Sequence, residues 1–203
     1  MIRNIVFDMG EVLIHFEPEK FLTKEGITDP ADRKQVMETL FASEDWPKLD
    51  LGVMTEAELE EKAKRILPIH LHDAIHPLLY NWDRPLDPVS GMEELIRDLK
   101  EKEYGIYLLS NASFRQKEYW PDVPCSRYFD GRIVSAEHLC AKPDQKLFRI
   151  LFQTYDLSPQ ECLFIDDLER NVAAAKTLGM QGIVFDGSAE HLRETLKNMD
   201  IDI

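Results

Sequence analysis

The sequence predicts an α/β fold, a Rossmann-like parallel sheet with an inserted all-helical cap domain. Three observations carry that expectation. From about residue 89 onward, short apolar runs alternate with stretches of helix length, the pattern of parallel strands joined by crossover helices and covered on both faces. Near the start, Ile5-Val6-Phe7 reads as another buried strand of the same kind. Between 16 and 88 there is no strand signal, only helix formers. A sheet interrupted after its first strand implies a core of residues 1–15 and 86–203 and a cap domain over 16–85.

Taken in order, the first strand ends on Asp8, with Gly10 two residues on. The carboxyl ends of strands in an open parallel sheet face the ligand crevice, so Asp8 is expected there; the plainer reading is an acid capping a turn. Cap helices are expected near 18–25, 30–43, 55–66 and 70–82. Asp29-Pro30 and Thr55-Glu56 read as N-cap starts, Leu49 to Thr55 as a loop ending in a cap, and Pro68 as a stop. Pro85 and Pro88 stiffen the return to the core. A helix over about 89–103 then precedes a strand over Gly105–Ser110, a helix near 112–120 and a short strand over Arg132–Ser135. Lys142-Pro143 is expected to open a helix running to about Tyr155. The strand Cys162–Ile165 ends on Asp166-Asp167, and a helix over 169–178 stops at Gly179. A strand over Gly182–Phe185 and a helix near 188–198 follow.

A chain of 203 residues suits one domain, or one domain with an insertion, and can bury a sizeable core. Its 44% hydrophobic and 31% charged residues are ordinary for a soluble enzyme. No apolar run approaches the ~20 residues of a membrane span. The opening Met1-Ile2-Arg3-Asn4 lacks a signal-peptide pattern, so a cytoplasmic location is expected. Cys125, Cys140 and Cys162 are too scattered for a disulfide framework or a zinc site. His70, His72 and His76 read as surface residues and not as a metal cluster. The net charge of -14 argues against nucleic acid as a partner. It would also repel a phosphorylated small molecule at long range, so attraction for one must be local and metal-assisted.

Three strands, the first, second and fourth, end in polar residues: Asp8, Ser110-Asn111 and Asp166-Asp167; Lys142 begins the helix after the third, and a parallel sheet would bring all of these to one edge. Each has a plain alternative. Ser110-Asn111 can cap a helix, Lys142-Pro143 can be a solvated helix start, and Asp166-Asp167 can be an N-cap pair favoured by the helix dipole. Asn171 either steadies the acidic pair or faces solvent. Gathered together, the carboxylates of Asp8, Asp166 and Asp167 would raise one another's pKa unless a cation intervened, and hard oxygen ligands of this kind suit Mg²⁺.

In their order these motifs resemble the haloacid dehalogenase (HAD) superfamily of hydrolases, and the helical insert sits where that family carries its first type of cap. The Asp8-x-Gly10 start, Ser110-Asn111, Glu118-Tyr119-Trp120-Pro121 and Asp166-Asp167 are similar to the family's alpha-D-glucose-1-phosphatase branch. The resemblance implies that Asp8 attacks phosphorus in line, giving an aspartyl-phosphate that water cleaves. It places Ser110, Asn111 and Lys142 on the phosphate, and assigns Mg²⁺ to Asp8, Asp166, Asp167 and the Gly10 carbonyl. The implied substrate is a small phosphorylated metabolite held beneath a lid, and the implied assembly a monomer or homodimer.

One position departs from the pattern. Most phosphatases that this chain resembles carry a second Asp two residues after the nucleophile, as general acid and base, and here that residue is Gly10. Such help is worth ~10²–10⁴-fold. Glu11 is adjacent, but neighbouring side chains on an extended segment point to opposite faces, so it substitutes poorly unless the loop turns sharply. Three readings follow: a phosphatase for a good leaving group such as a sugar 1-phosphate, a dehalogenase attacking carbon, or a low-turnover phosphate-binding protein. Retention of the acidic pair counts against the second. Lid residues expected to face the site are Trp46, Leu51-Gly52-Val53, His15 and Glu17.

Overall fold

Five strands, β1 (Asn4–Phe7), β2 (Gly105–Ser110), β3 (Gly131–Val134), β4 (Cys162–Asp166) and β5 (Gln181–Val184), form one sheet in the order β3-β2-β1-β4-β5. The computed structural model describes residues 1–203. Every pairing is parallel, and the end of central β1 is level with both neighbours, Phe7 opposite Leu108 and Ile165. The chain leaves β1 toward β2 and leaves β4 toward β5, so connections diverge between β1 and β4. That divergence is the topological switch point at which open α/β sheets bind ligands.

The insert folds as α1 (Pro18–Lys24), α2 (Pro30–Thr39), α3 (Trp46–Asp50), α4 (Glu56–Ile66) and α5 (His72–Tyr80), with no strand among them. Leu22, Val36, Leu40, Leu49, Leu59, Ile75 and Leu78 give it an apolar cluster of its own. Its helix starts follow local chemistry. The Asp29 carboxylate accepts from the Ala31 and Asp32 N–H groups, and Thr55 and Glu58 form a reciprocal capping box.

Past the insert come α6 (Met92–Glu101), α7 (Gln116–Tyr119), α8 (Gln145–Tyr155), α9 (Glu169–Thr177) and α10 (Ala189–Asn198). Alternate strand residues bury in opposite directions. Ile5, Phe7, Ile106, Leu108, Leu163 and Ile165 pack with the apolar stripes of α6 and α10. Val6, Leu109, Cys162 and Phe164 pack with those of α8 and α9. Burial on both faces is why these strands are continuously apolar in sequence.

Several elements differ from expectation. Helix α2 stops at Thr39, and Ser43 Oγ accepts from the Asp45 and Trp46 N–H groups, opening the short α3 partly within a stretch that reads as loop. The helix expected over 112–120 begins only at Gln116 as the short α7, after a turn in which Ser113 Oγ accepts from the Arg115 N–H, and it gives way to 3₁₀ turns at Pro121 and Pro124, which lack a backbone donor. Lys142-Pro143 does not open α8. Asp144 caps that helix by accepting from the Lys146 N–H, which leaves Lys142 in the preceding loop.

The loop after α3 docks on the core. Ser135 Oγ donates to the Asp50 carbonyl, and Gly52, at φ +75°, lies so close to Ala136 that a Cβ would overlap its carbonyl. Gly52→Ala should therefore cost about 1–3 kcal/mol, the usual penalty for a non-glycine residue in this region. At about 2–4 °C per kcal/mol for a chain of this size, calorimetry should show a clear fall in Tm; an unchanged Tm would mean that the loop does not dock this way.

Candidate active site

The site is built where β1 and β4 end. Asp8 directly follows Phe7, and its N–H continues the sheet ladder to the Ile165 carbonyl at 2.9 Å. Its side chain is largely buried, and Oδ1 accepts from the Met9 N–H at 2.7 Å. Lys142 reaches in from the loop before α8. Its Nζ lies 2.7 Å from Asp8 Oδ1 and 2.7 Å from Asp166 Oδ2, and 5.3 Å from the centre of the Phe164 ring. The Lys142 and Asp166 side chains are wholly buried.

Two asparagines bracket this group. Asn111 Nδ2 donates to the Lys142 carbonyl at 3.0 Å, and the Lys142 N–H donates back to Asn111 Oδ1 at 2.8 Å. Asn171 Nδ2 donates to both Asp166 oxygens, at 3.0 and 3.1 Å, and the Leu168 N–H donates to Asp166 Oδ1 at 2.9 Å. The Asn111 side chain, expected on phosphate, is thus committed to holding the lysine. Ser110, also expected there, is fully buried at the end of β2 with its hydroxyl unpartnered; Asn111, Ala112 and Ser113 line the cavity in its place.

Burial pushes the Asp8 carboxyl up and the Asp166 charge adds to this, while Lys142 pulls it down. Asp167, half-buried on the cavity wall, is raised by burial and by the Asp166 charge. One oxygen from each of Asp8, Asp166 and Asp167 lies within 4.8 Å of the others. A single ammonium cannot balance these acids, and the oxygen donors fit a hard divalent cation. Gly10 is not required by sterics, since a Cβ there would meet nothing within 4 Å. The loop does turn sharply at Glu11, φ +56°. The Glu11 carboxylate nevertheless accepts from the Phe16 N–H at 2.7 Å and approaches His15 Nδ1 at 3.4 Å, which ties it to the linker leading into the insert.

A cavity of about 300 Å³ opens above Asp8, Gly10 and Asp167, walled on the insert side by Phe16, Trp46, Leu49, Asp50, Leu79 and Trp82. Trp46 is on this wall as expected, whereas His15, Glu17 and Leu51-Gly52-Val53 are not. Glu56 lines the cavity with Oε1 2.5 Å from Ser113 Oγ, and Arg115 fastens the lid by donating to the Leu79 and Tyr80 carbonyls at 2.8 and 2.7 Å. Neither they nor Asp50 carried a sequence signal, lying outside the strand ends that organise the motifs. The three histidines have separate partners, His70 on Asp32, His72 on the Leu67 carbonyl and His76 on Glu60. No helix is long and apolar enough to cross a membrane.

A family model for haloacid dehalogenase-like hydrolases matches residues 2–179. The chain belongs to this family. This HAD-like hydrolase is similar to a sesquiterpene phosphatase of Aspergillus oryzae, 26% identical over 187 residues that cover 89% of this chain and 88% of the relative. It is also similar to a D-ribitol-5-phosphate phosphatase of Bacteroides thetaiotaomicron, 25% identical over 213 residues covering 96% and 97%. An HAD family enzyme of Bacteroides thetaiotaomicron, solved in complex with magnesium and inorganic phosphate, shares the fold at a TM-score of 0.74, 22% identity and 95% and 99% coverage.

The acids of the HAD-like site should make stability depend on pH and on a divalent cation. Asp8 and Asp50 are raised from 3.8 to about 7 in the folded chain, so it holds their protons more tightly than the unfolded chain does. Their contribution is complete below the unfolded value of 3.8 and is lost as pH rises through about 7. In chelator, Tm should fall from pH 5 to pH 8, and Mg²⁺ should restore more at pH 8, where it displaces fewer protons. A Tm that rises over this interval without metal would contradict the crowding of acids.

Proposed function

We propose that this HAD-like hydrolase is a Mg²⁺-dependent phosphatase acting on a small phosphorylated metabolite through an aspartyl-phosphate intermediate. The observation that carries the reading is Asp8 itself. Its Oδ1 is held by Met9 and Lys142, while Oδ2 has no hydrogen bond within the chain and belongs to a side chain on the cavity wall. That free oxygen is the one to attack phosphorus in line. Lys142, set 2.7 Å from a carboxylate oxygen on either side, screens Asp8 from an incoming phosphate. Mg²⁺ held by Asp8, Asp166, Asp167 and the Gly10 carbonyl would supply further neutralisation of phosphoryl charge. The lid excludes bulk water, which strengthens these electrostatic effects.

Gly10 itself offers a leaving group no proton, and an anomeric sugar phosphate is one substrate that tolerates this. The apolar wall of Phe16, Trp46, Leu49, Leu79 and Trp82 favours a second reading, an ester whose alcohol part is apolar or aromatic. Of the relatives, the sesquiterpene phosphatase is named for an apolar alcohol, and the D-ribitol-5-phosphate phosphatase for a polyol phosphate that has no anomeric carbon. Values of kcat/KM for a sugar 1-phosphate against a prenyl or benzyl phosphate decide between the two.

Hydrolysis of p-nitrophenyl phosphate should require Mg²⁺, and Asp8→Asn should abolish it while the protein stays folded. Normal turnover by that variant would end the nucleophile assignment. Metal-free halide release from a 2-haloacid would favour the dehalogenase reading, and phosphate binding without turnover the sensor reading. Asp167→Asn should raise the Mg²⁺ concentration for half-maximal activity, and an unchanged titration would remove it from the ligand set.

A further inference from the structure

The place where an acid would ordinarily reach the leaving oxygen is glycine here, yet the cavity has another acid on its lid side. Asp50, the last residue of α3, shares the cavity wall with Asp8. The carboxylates of Glu11 and Glu56 are committed, to the Phe16 N–H and to Ser113 Oγ, whereas the Asp50 carboxyl makes no hydrogen bond or ion pair within the chain.

Its backbone, by contrast, is pinned to the catalytic half. Ser135 Oγ donates to the Asp50 carbonyl and accepts from the Ala112 N–H at 3.0 Å, next to the Asn111 that brackets Lys142. Two residues on, Gly52 seats the loop directly against Ala136. One hydroxyl thus ties the lid acid to the loop after β2. The groups whose charges bear on Asp50 are Glu56 from the start of α4 and Lys142 from the core, and Asp50 in turn bears on the Tyr119 phenol of α7.

We infer that Asp50 is the catalytic acid and base of this chain, delivered to the phosphate ester by the lid in place of the acid absent at Gly10. The inference rests on the phosphatase reading above. In the first step a bond forms between Asp8 Oδ2 and phosphorus as the ester P–O bond breaks. The electron pair of that bond stays on the leaving oxygen, which takes the Asp50 proton and departs as the alcohol. In the second step water attacks phosphorus and gives a proton to the Asp50 carboxylate. The bond from phosphorus to Asp8 breaks, Asp8 returns as carboxylate, and phosphate leaves. Burial and the Glu56 charge, opposed by Lys142, push the Asp50 carboxyl up to about 7, within the range a general acid needs at neutral pH. Because the acid rides on the lid, protonation is available only when the lid is seated.

The test compares two esters of similar size in Mg²⁺, p-nitrophenyl phosphate with a good leaving group and benzyl phosphate with a poor one. Asp50→Asn should lower kcat on benzyl phosphate by ~10²–10⁴-fold, and on the nitrophenyl ester by about tenfold or less. Wild-type benzyl turnover should decline above pH 7, and the variant should lose that decline. Adding Gly10→Asp to Asp50→Asn should recover benzyl hydrolysis, since the space at Gly10 is open. Should Asp50→Asn fail to fold, Ser135→Ala, which frees the latch, should show the same bias against the benzyl ester. Equal losses on both esters, or none on either, would overturn the role of Asp50 and leave the phosphatase reading standing. A wild type that hydrolyses neither ester with Mg²⁺ would bring down both.

Discussion

The structure depends on one buried ammonium. Lys142 lies between Asp8 and Asp166 at the mouth of a parallel sheet, its side chain removed from solvent and 2.7 Å from each carboxylate. Burying such charges is costly, and only close geometry with every remaining lone pair satisfied offsets the cost. Asn171 and the Leu168 N–H satisfy the Asp166 oxygens and Asn111 holds the Lys142 backbone, while Asp8 Oδ2 is left without a partner. The cluster still carries more acid than base once Asp167 is included. This imbalance is the local feature that fits a divalent cation in a chain whose net charge of -14 would otherwise repel anions.

The helical insert completes the site and does more than cover it. Three fastenings join it to the core: Arg115 on the carbonyls at the end of α5, Glu56 on Ser113, and Ser135 on Asp50. All three core residues follow the ends of β2 or β3, the same edge that carries Asp8 and Asp166. Lid position is therefore registered against the chemistry and not against a remote surface. The aromatic group of Phe16, Trp46 and Trp82 packs edge-on and tilted at centroid distances of 5.0 to 5.5 Å, a stiff apolar ceiling over a strongly polar floor.

Much of this was legible along the chain because parallel strands buried on both faces are continuous apolar runs, and their last residues are forced to one edge. Asp8 and the Asp166-Asp167 pair were readable for that reason. Lys142 was readable as a residue but not as a position. A helix start was expected of it, and the Asp144 cap took that place, leaving the lysine free in a loop to turn inward. Ser110 and Asn111 show the opposite difficulty, since residue type suited phosphate while burial left one hydroxyl unpartnered and committed the other side chain to Lys142. Asp50 carried no local signal, as one acid in a short helix ahead of a glycine reads like any solvated turn.

The amino-acid order by itself determined the sheet, the helical insertion after its first strand, and the acids at its edge, because hydrophobic period and strand ends are local properties. The tertiary structure alone decided which polar groups face the cavity and which are spent holding one another. That division depends on distances between residues far apart in sequence, such as Ser135 and Asp50 or Asn111 and Lys142, and on which carboxyl the packing leaves without a partner.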